Sequence, residues 1–586
     1  MRILHAGASR PAPKPTASTA GRRPGRAGAG DLLAVAGLVV GAGLVELYLR
    51  NLLTRPFYYD EAWRAYNIAL GRGYLAQMHN TPHPLALGWL VIENASRFLL
   101  GDTEAGLRAP MFLAFPLLVL ATYWLARRWL GVGVSFCVAG LLLVNGWIVN
   151  YALQLKSYSY EALFAVAAVA LYLLVRRTTQ HPARLLGLYA TLGLTCVFSL
   201  PNLFVVVSLL ALDLVETLRA RERVALRIGG EALAGAIALA HYVLFVRPQT
   251  GAATEHFASD FAPHRLSGFV PFVIKGAQSY IPGMITGVAG GAKSVATPAY
   301  ALPPLAHHLL AGVVVLLLAA GAVAAARDAT GRAVLVAAGG TLLLELLAST
   351  VQRWPFGLLR TNIFVLPLLY ILGGIGAVAL ARMLRGPLRA DGDRYLPATW
   401  WRVAGLGLAA VVLVAAGTAA GVATGKALAE TGALQSRPVW FGGTKPAVAY
   451  ARLKGTPSDL AIIRSDRSLP VWYIGPWLYY MKWYQGYRAP VAAGPRIPAG
   501  NTISVPYVTP GAVSRFLAAH PGAPAIFLLE YVLFPDRFPA SAHQQSLTTL
   551  RRFGYCPTHE IAYPVTGQLT VLTRAGCTAH GAPTGG

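Results

Sequence analysis

The sequence predicts a polytopic α-helical membrane protein of about eleven transmembrane helices, with an extracytoplasmic α/β domain at its C-terminal end. Three observations predict it. Only 13% of the 586 residues are charged, against about 25% in soluble globular domains. Mean hydropathy is +0.51. The apolar residues gather into runs of about 20, the length that crosses a bilayer as a helix.

Residues 1–30 are rich in Pro, Gly, Ala and Arg, contain no acid, and read as a disordered basic cytoplasmic tail. The first apolar run is followed by Glu46 and Arg50 rather than a cleavage site, so it is expected to remain as a span. Spans are placed at 31–49, 109–126, 132–150, 161–175, 184–200, 201–218, 228–246, 303–325, 333–351, 361–381 and 401–420. The membrane domain thus occupies 31–420.

The net charge of +26 comes from 50 Lys and Arg against 24 Asp and Glu. A nucleic-acid binder would carry a basic patch with aromatic residues interleaved. Here Arg sits at the ends of apolar runs, as in Arg127 and Arg128, Arg176 and Arg177, and Arg382 and Arg385. That is the marking of cytoplasmic loops, and no nucleic-acid partner is expected. The rule places the N-terminus in the cytoplasm and, after eleven spans, residues 421–586 on the opposite side of the cell membrane. The segments 50–108 and 247–302 are the long outer loops. The abundance of Ala, Gly and Arg fits a GC-rich bacterial source.

The C-terminal region alternates short apolar runs, Leu460-Ala-Ile-Ile-Arg464, Val471-Trp-Tyr-Ile474 and Ala525-Ile-Phe-Leu-Leu529, with helical stretches at 447–453 and 513–519. The runs are expected to be strands of a small α/β domain. Cys137 and Cys196 lie in apolar runs as packing residues. Cys556 and Cys577 either pair outside the cytoplasm or remain free thiols.

The chemistry concentrates in the first outer loop, which reads Arg55-Pro-Phe-Tyr-Tyr-Asp60-Glu61-Ala-Trp63-Arg64-Ala-Tyr66. Adjacent carboxylates point in different directions and take different roles. One would act as a general base towards an acceptor hydroxyl, the other as a binding or orienting group. Tyr59 and Trp63 offer aromatic faces. The same pair would also serve as a solvated helix start, where acids favour the first turn. His79 and His83, with Asp60 and Glu61, would make a divalent metal site, but Pro82 and Pro84 oppose a regular helix there. No cofactor or metal is required by this reading.

Further along come His83-Pro-Leu85, a polar-spotted helix over 85–100 that reads as interfacial, and Gly101-Asp-Thr-Glu-Ala-Gly-Leu-Arg108-Ala-Pro110 opening the second span. Two more stretches follow: Tyr151-Ala-Leu-Gln-Leu-Lys156-Ser-Tyr158, and Gln352-Arg353-Trp-Pro-Phe-Gly-Leu-Leu-Arg360. In this order they resemble the GT-C superfamily of membrane glycosyltransferases, nearest the protein mannosyltransferase and aminoarabinose transferase branch. The resemblance covers roughly residues 31–381. Lys156 stands where the family shows Arg, Trp354 replaces a Tyr, and Arg360 falls one position late.

The resemblance implies transfer of a sugar from a polyprenyl-phosphate carrier to a hydroxyl acceptor on the outer face of the membrane. Asp60 would be the base and Glu61 a support for acceptor or carrier. Arg360, Arg353 and Lys156 would hold the lipid phosphate, and Tyr158, His83, Tyr59 and Trp63 would line the substrate site. Mannose and arabinose carriers both fit, as do protein, glycan and lipid acceptors. A transporter or lipid flippase would show repeats with broken helices or ionisable groups at mid-span. A non-catalytic cell-envelope assembly protein would be expected to have lost the Asp-Glu pair, which is intact.

Overall fold

The computed structural model describes residues 28–50, 53–57, 59–70, 73–74, 77, 84–178, 181–249, 260–263, 265–286, 304–357, 360–384, 444–464, 470–483, 497–530, 540–563, 567–575 and 577. Each predicted span from 31–49 through 361–381 falls on helix. In chain order these are α1 (Ala29–Leu49), α4 (Glu104–Ala126), α5 (Val132–Val144) with α6 (Gly146–Ala152), α7 (Tyr158–Arg177) and α8 (Pro182–Phe198). They continue with α9 (Asn202–Ala220), α10 (Val224–His241), α12 (Pro304–Arg327), α13 (Gly331–Thr350) and α14 (Leu366–Leu384). The eleventh, 401–420, lies outside the described residues. By length and apolarity, 7 of the described helices qualify as crossing helices, with Val132–Val144 and Pro182–Phe198 as shorter apolar ones. The chain is therefore a multi-pass helical membrane protein.

Two further helices come from the loops, α2 (Tyr59–Ala69) and α3 (Leu87–Leu100), and α11 (Leu266–Thr286) forms within the second long loop. On α3, Val91, Phe98, Leu99 and Leu100 are exposed while Glu93 and Ser96 are buried. Apolar side chains outward and polar ones inward is the arrangement of a helix lying against lipid.

The third span is not continuous. Asn145 has extended backbone between α5 and α6. Its Oδ1 accepts the N–H groups of Trp147 and Ile148, both at 3.1 Å, which caps α6. Its Nδ2 donates to the Gly283 carbonyl and the Tyr370 hydroxyl. Side-chain satisfaction of the free backbone groups makes the break tolerable inside a bundle.

The Arg-rich ends of the helices cluster at one end of the bundle. Arg127 pairs with Asp31 at 2.6 Å, Arg176 and Arg332 with Glu216, and Trp129 Nε1 donates to Thr330. The opposite end carries α2, α3 and the C-terminal domain.

That domain consists of α15 (Thr444–Lys454), β1 (Leu460–Arg464), α16 (Pro470–Trp483), β2 (Thr502–Val505), α17 (Pro510–Ala519), β3 (Ala525–Glu530), α18 (Ala540–Arg551), β4 (Cys556–Tyr563) and β5 (Gly567–Thr573). The sheet order is β2-β1-β3-β5-β4. β1 pairs in parallel with β2 and β3, and β5 is antiparallel to β3 and β4. Cys556 and Cys577 form a disulfide. The expected strand at 471–474 is instead the first turn of α16. Pro470 opens that helix, where a missing N–H costs nothing, and its packing overrides the strand preference of Val, Trp, Tyr and Ile.

One sheet face, with Leu460, Ile462, Ile526 and Leu528, packs on α17 and α18 through Val513, Phe516, Leu547 and Leu550. The other face, with Ala461, Ile463, Phe527 and Leu529, joins a second core. That core runs through Ala447, Trp477 and Tyr480 into Phe57, Ala65, Trp89, Leu107 and Leu155. The C-terminal domain therefore shares a hydrophobic core with the loop helices.

Candidate active site

The site is built around α2. Its first turn holds Tyr59, Asp60 and Glu61, and acids there complement the partial positive charge of the helix N-terminus. Glu61 is fully buried. Arg108, on the first turns of α4, grips it from both ends of the carboxylate, Nε to Oε1 at 3.0 Å and Nη2 to Oε2 at 2.9 Å. The Leu155 N–H donates to the same Oε1 at 2.6 Å. Burial pushes the Glu61 carboxyl up, but the charge and hydrogen bonds of Arg108, the charge of Arg55 and the Leu155 N–H outweigh it and hold it below its usual range.

Arg108 also donates through Nη1 to the carbonyls of Leu53 and Arg55, at 2.8 and 2.7 Å, and lies over the Phe57 ring at 4.8 Å. One buried fork thus ties the chain before α2, the start of α2 and the segment after α6. Arg64, one turn past Asp60, adds a second tie by donating to the Leu155 carbonyl at 3.3 Å, and lies over Trp89.

Those ties bring the Asp-Glu helix beside Lys156 and Tyr158. Lys156 is buried and directly follows Leu155. Tyr158 opens α7 and meets Tyr151 edge to face at 4.7 Å. Trp63 is half-buried and stacks on Tyr66 at 5.8 Å. For Asp60 and Tyr59 the structure describes the backbone alone, and His79 and His83 lie outside the described residues. Among the described residues no group of three or more His, Cys, Asp or Glu could hold a metal ion.

The second stretch begins just after α13. Arg353 is exposed, and its N–H donates to the Ala348 carbonyl at 2.9 Å. The backbone of Arg360 starts a 3-10 turn, Arg360–Val365, that packs against α7. Asn362 fastens the turn, donating to the Pro355 and Gly357 carbonyls and accepting from Trp354 Nε1 at 2.6 Å. Gly357, at φ 103, lies against Gly276 of α11. A side chain at Gly357 would strain the backbone and enter that contact.

The C-terminal domain closes over the first loop. Tyr480 Oη accepts the Phe57 N–H at 2.6 Å and donates to Glu104 at 3.1 Å. Lys445 pairs with Glu104 at 2.6 Å, and Tyr479 donates to the Asp102 carbonyl. Glu93, on α3, is fully buried with neither carboxylate oxygen hydrogen-bonded. Burial pushes its carboxyl well above the usual range, with Arg64 opposing.

Sequence reasoning gave no role to Arg108, Arg55, Arg64 or Glu93. An Arg spaced four residues after an acid at a helix start was the available signal for Arg108. Nothing in the sequence marks Glu93 as buried.

No protein-family model matches the sequence, and no curated protein matches it. Solved structures do. ArnT from Cupriavidus metallidurans in the apo state aligns with a TM-score of 0.51 at 16% identity, over 93% of this chain and 98% of that one. The same protein bound to undecaprenyl phosphate aligns with a TM-score of 0.51 at 16% identity, over 92% and 97%. The oligosaccharyltransferase AglB from Archaeoglobus fulgidus, in complex with an inhibitory peptide and a dolichol-phosphate, aligns with a TM-score of 0.46 at 13% identity, over 92% and 74%. Along nearly its whole length, then, the chain has the fold of ArnT.

Proposed function

We propose that the protein is a glycosyltransferase that moves a sugar from a polyprenyl-phosphate carrier to a hydroxyl acceptor on the outer face of the cell membrane. The observation that supports this most is the buried Glu61–Arg108 fork. It fixes the first turn of α2, and with it Asp60, beside the Lys156 segment through the Leu155 N–H. Holding reacting groups in place accounts for a large share of catalysis in such a transfer. The likeness to ArnT bound to undecaprenyl phosphate supports the choice of carrier.

In this reading Asp60 accepts the acceptor's hydroxyl proton as that oxygen bonds to the anomeric carbon. The bond from that carbon to the phosphate oxygen breaks, and the carrier departs as polyprenyl phosphate holding the electron pair. Glu61 cannot take that proton while both its oxygens are engaged by Arg108 and Leu155. Its role is to position. Lys156, Arg353 and Arg360 are proposed to face the phosphate, with Tyr158, Tyr59, Trp63 and His83 around the sugars. Residues 31–420 form the catalytic membrane unit, and 421–586, on the outer side, help select the acceptor.

The test is sugar transfer by purified protein from synthetic polyprenyl-phosphate sugars, comparing wild type with Asp60→Asn. Loss of a general base costs about 10²–10⁴-fold in turnover. Equal release of polyprenyl phosphate by both would remove Asp60 from the chemistry. No release by wild type from any donor sugar would end the transferase reading and favour a transporter or assembly protein.

A further inference from the structure

Three charges meet beneath the start of α2, and two of them are positive. Arg108 and Glu61 neutralise each other inside the protein. Arg55 is the surplus. Its carbonyl is pinned by Arg108 at 2.7 Å, so its backbone is fixed. Its side chain is partly buried. Yet among the described residues its guanidinium makes no hydrogen bond, ion pair or ring contact. Arg108 repels it, Glu61 attracts it at a distance, and burial together with that repulsion pulls it down to about 10.

Three neighbouring cations are already engaged: Arg64 donates to the Leu155 carbonyl, Arg97 pairs with Asp102, and Lys445 pairs with Glu104. Withdrawing a charge from water without a partner is costly, and an anion of matching shape relieves it. The guanidinium offers a planar fork that fits phosphate oxygens two at a time. Arg55 lies five residues before Asp60.

We propose that Arg55 binds the phosphate of the lipid carrier, as a positioning residue for the leaving group in the reaction inferred above. The inference rests on that reading for the identity of the carrier, while the anion site stands on its own geometry. Among the described residues the fork pairs with no carboxylate, so the carrier phosphate, a monoanionic diester while the sugar is attached, enters without displacing a salt bridge. Its charge also cancels the repulsion between Arg55 and Arg108.

The experiment measures binding of undecaprenyl phosphate, inorganic phosphate and phosphatidylglycerol to purified full-length protein. Wild type is compared with Arg55→Ala and Arg55→Lys, and thermal unfolding is recorded for each. Losing a charged hydrogen-bonding partner weakens binding about 10- to 100-fold. That loss is expected in Arg55→Ala for undecaprenyl phosphate and for inorganic phosphate, with an unfolding temperature no lower than that of wild type, since a repelled, unpartnered charge is removed. Arg55→Lys should recover part of it, since a point charge replaces the fork. Equal affinities in wild type and Arg55→Ala, or an effect confined to phosphatidylglycerol, would overturn the proposal. Arg55-dependent phosphate binding in a wild type that transfers no sugar would instead overturn the transferase reading and leave the anion site standing.

Discussion

Gly475 of α16 rests on the backbone of Trp63 in α2: a Cβ at position 475 would lie 2.9 Å from the Trp63 Cα. Trp63 follows Asp60 by three residues, about one helical turn. The element of the C-terminal domain that touches α2 therefore does so one turn from the proposed base, and only glycine permits that approach.

Gly475→Val should force α16 away from α2. Overpacking of a close contact costs about 1–3 kcal/mol. The Tyr480 bonds to Phe57 and Glu104 would lengthen with it. Thermal unfolding and limited proteolysis of the full chain should show a looser C-terminal domain, with reduced transfer. A variant as stable and protease-resistant as wild type would mean that the contact has slack.

The Glu61–Arg108 pair predicts strong non-additivity. Glu61→Ala leaves a buried, uncompensated guanidinium, and Arg108→Ala leaves a buried carboxylate. Each should destabilise by about 3–5 kcal/mol. The double variant should cost much less than their sum, because neither charge remains. Glu61→Gln keeps the shape but loses the charge. It should reduce transfer even though Asp60 is intact, because the Leu155 N–H and Arg108 lose their anchor. Additive unfolding energies across the cycle would show that the fork does not hold the site.

What could be read ahead of the structure follows from range. Apolar runs report a local requirement of the bilayer, so helices were legible at every predicted span through 361–381, and 7 described helices are long and apolar enough to cross. The strands Leu460–Arg464 and Ala525–Glu530 were legible because both faces of the sheet are covered, which leaves continuous apolar runs. The segment opening α16 carries the same residue types but lies in a helix that packs on α2 and α15. The break at Asn145 depends on Gly283 and Tyr370, far along the chain. In the site, the acids of α2 were legible as a pair, but which of them is locked was not. That answer requires Arg108, 47 residues away.

Glu93 predicts a pH effect of the opposite kind from a salt bridge. Burial raises its carboxyl well above 4.5 in the folded protein. Above that value the unfolded chain releases the proton while the folded chain keeps it. Wild-type stability should therefore fall as pH rises from about 4.5 towards its raised folded value. Glu93→Gln cannot titrate and lacks this fall. The difference in unfolding temperature between the two should move in favour of the Gln variant with rising pH. Parallel curves would mean that Glu93 is ionised and paired in the folded protein.

At the carboxyl ends of the parallel strands, Arg464 of β1 and Glu530 of β3 are register partners and a buried ion pair at 2.9 Å. Glu530 also takes the Ser546 hydroxyl at 3.0 Å and the Nδ1–H of His543, both from α18. The outer edge of His543 faces Glu560 of β4 at 3.6 Å and Gln568 of β5 at 3.4 Å. The Glu530 hydrogen bond raises His543 above 6.5, against burial. Burial raises Glu530, but His543 and Arg464 more than compensate and set it below 4.5. The histidine contribution is full below pH 6.5 and disappears as pH rises through its raised folded value. The Glu530 contribution is present above pH 4.5 and disappears as pH falls through its lowered folded value. Docking of α18 on the sheet should therefore be tightest between about pH 4.5 and 6.5. Hydrogen exchange at the α18 amides of the full chain, corrected for intrinsic rates, should show protection declining above that window. His543→Gln should have weaker protection that no longer changes between pH 6 and 8. Protection that stays level in wild type across that range would show that His543 is neutral when folded and that the charge of α18 is irrelevant to its docking.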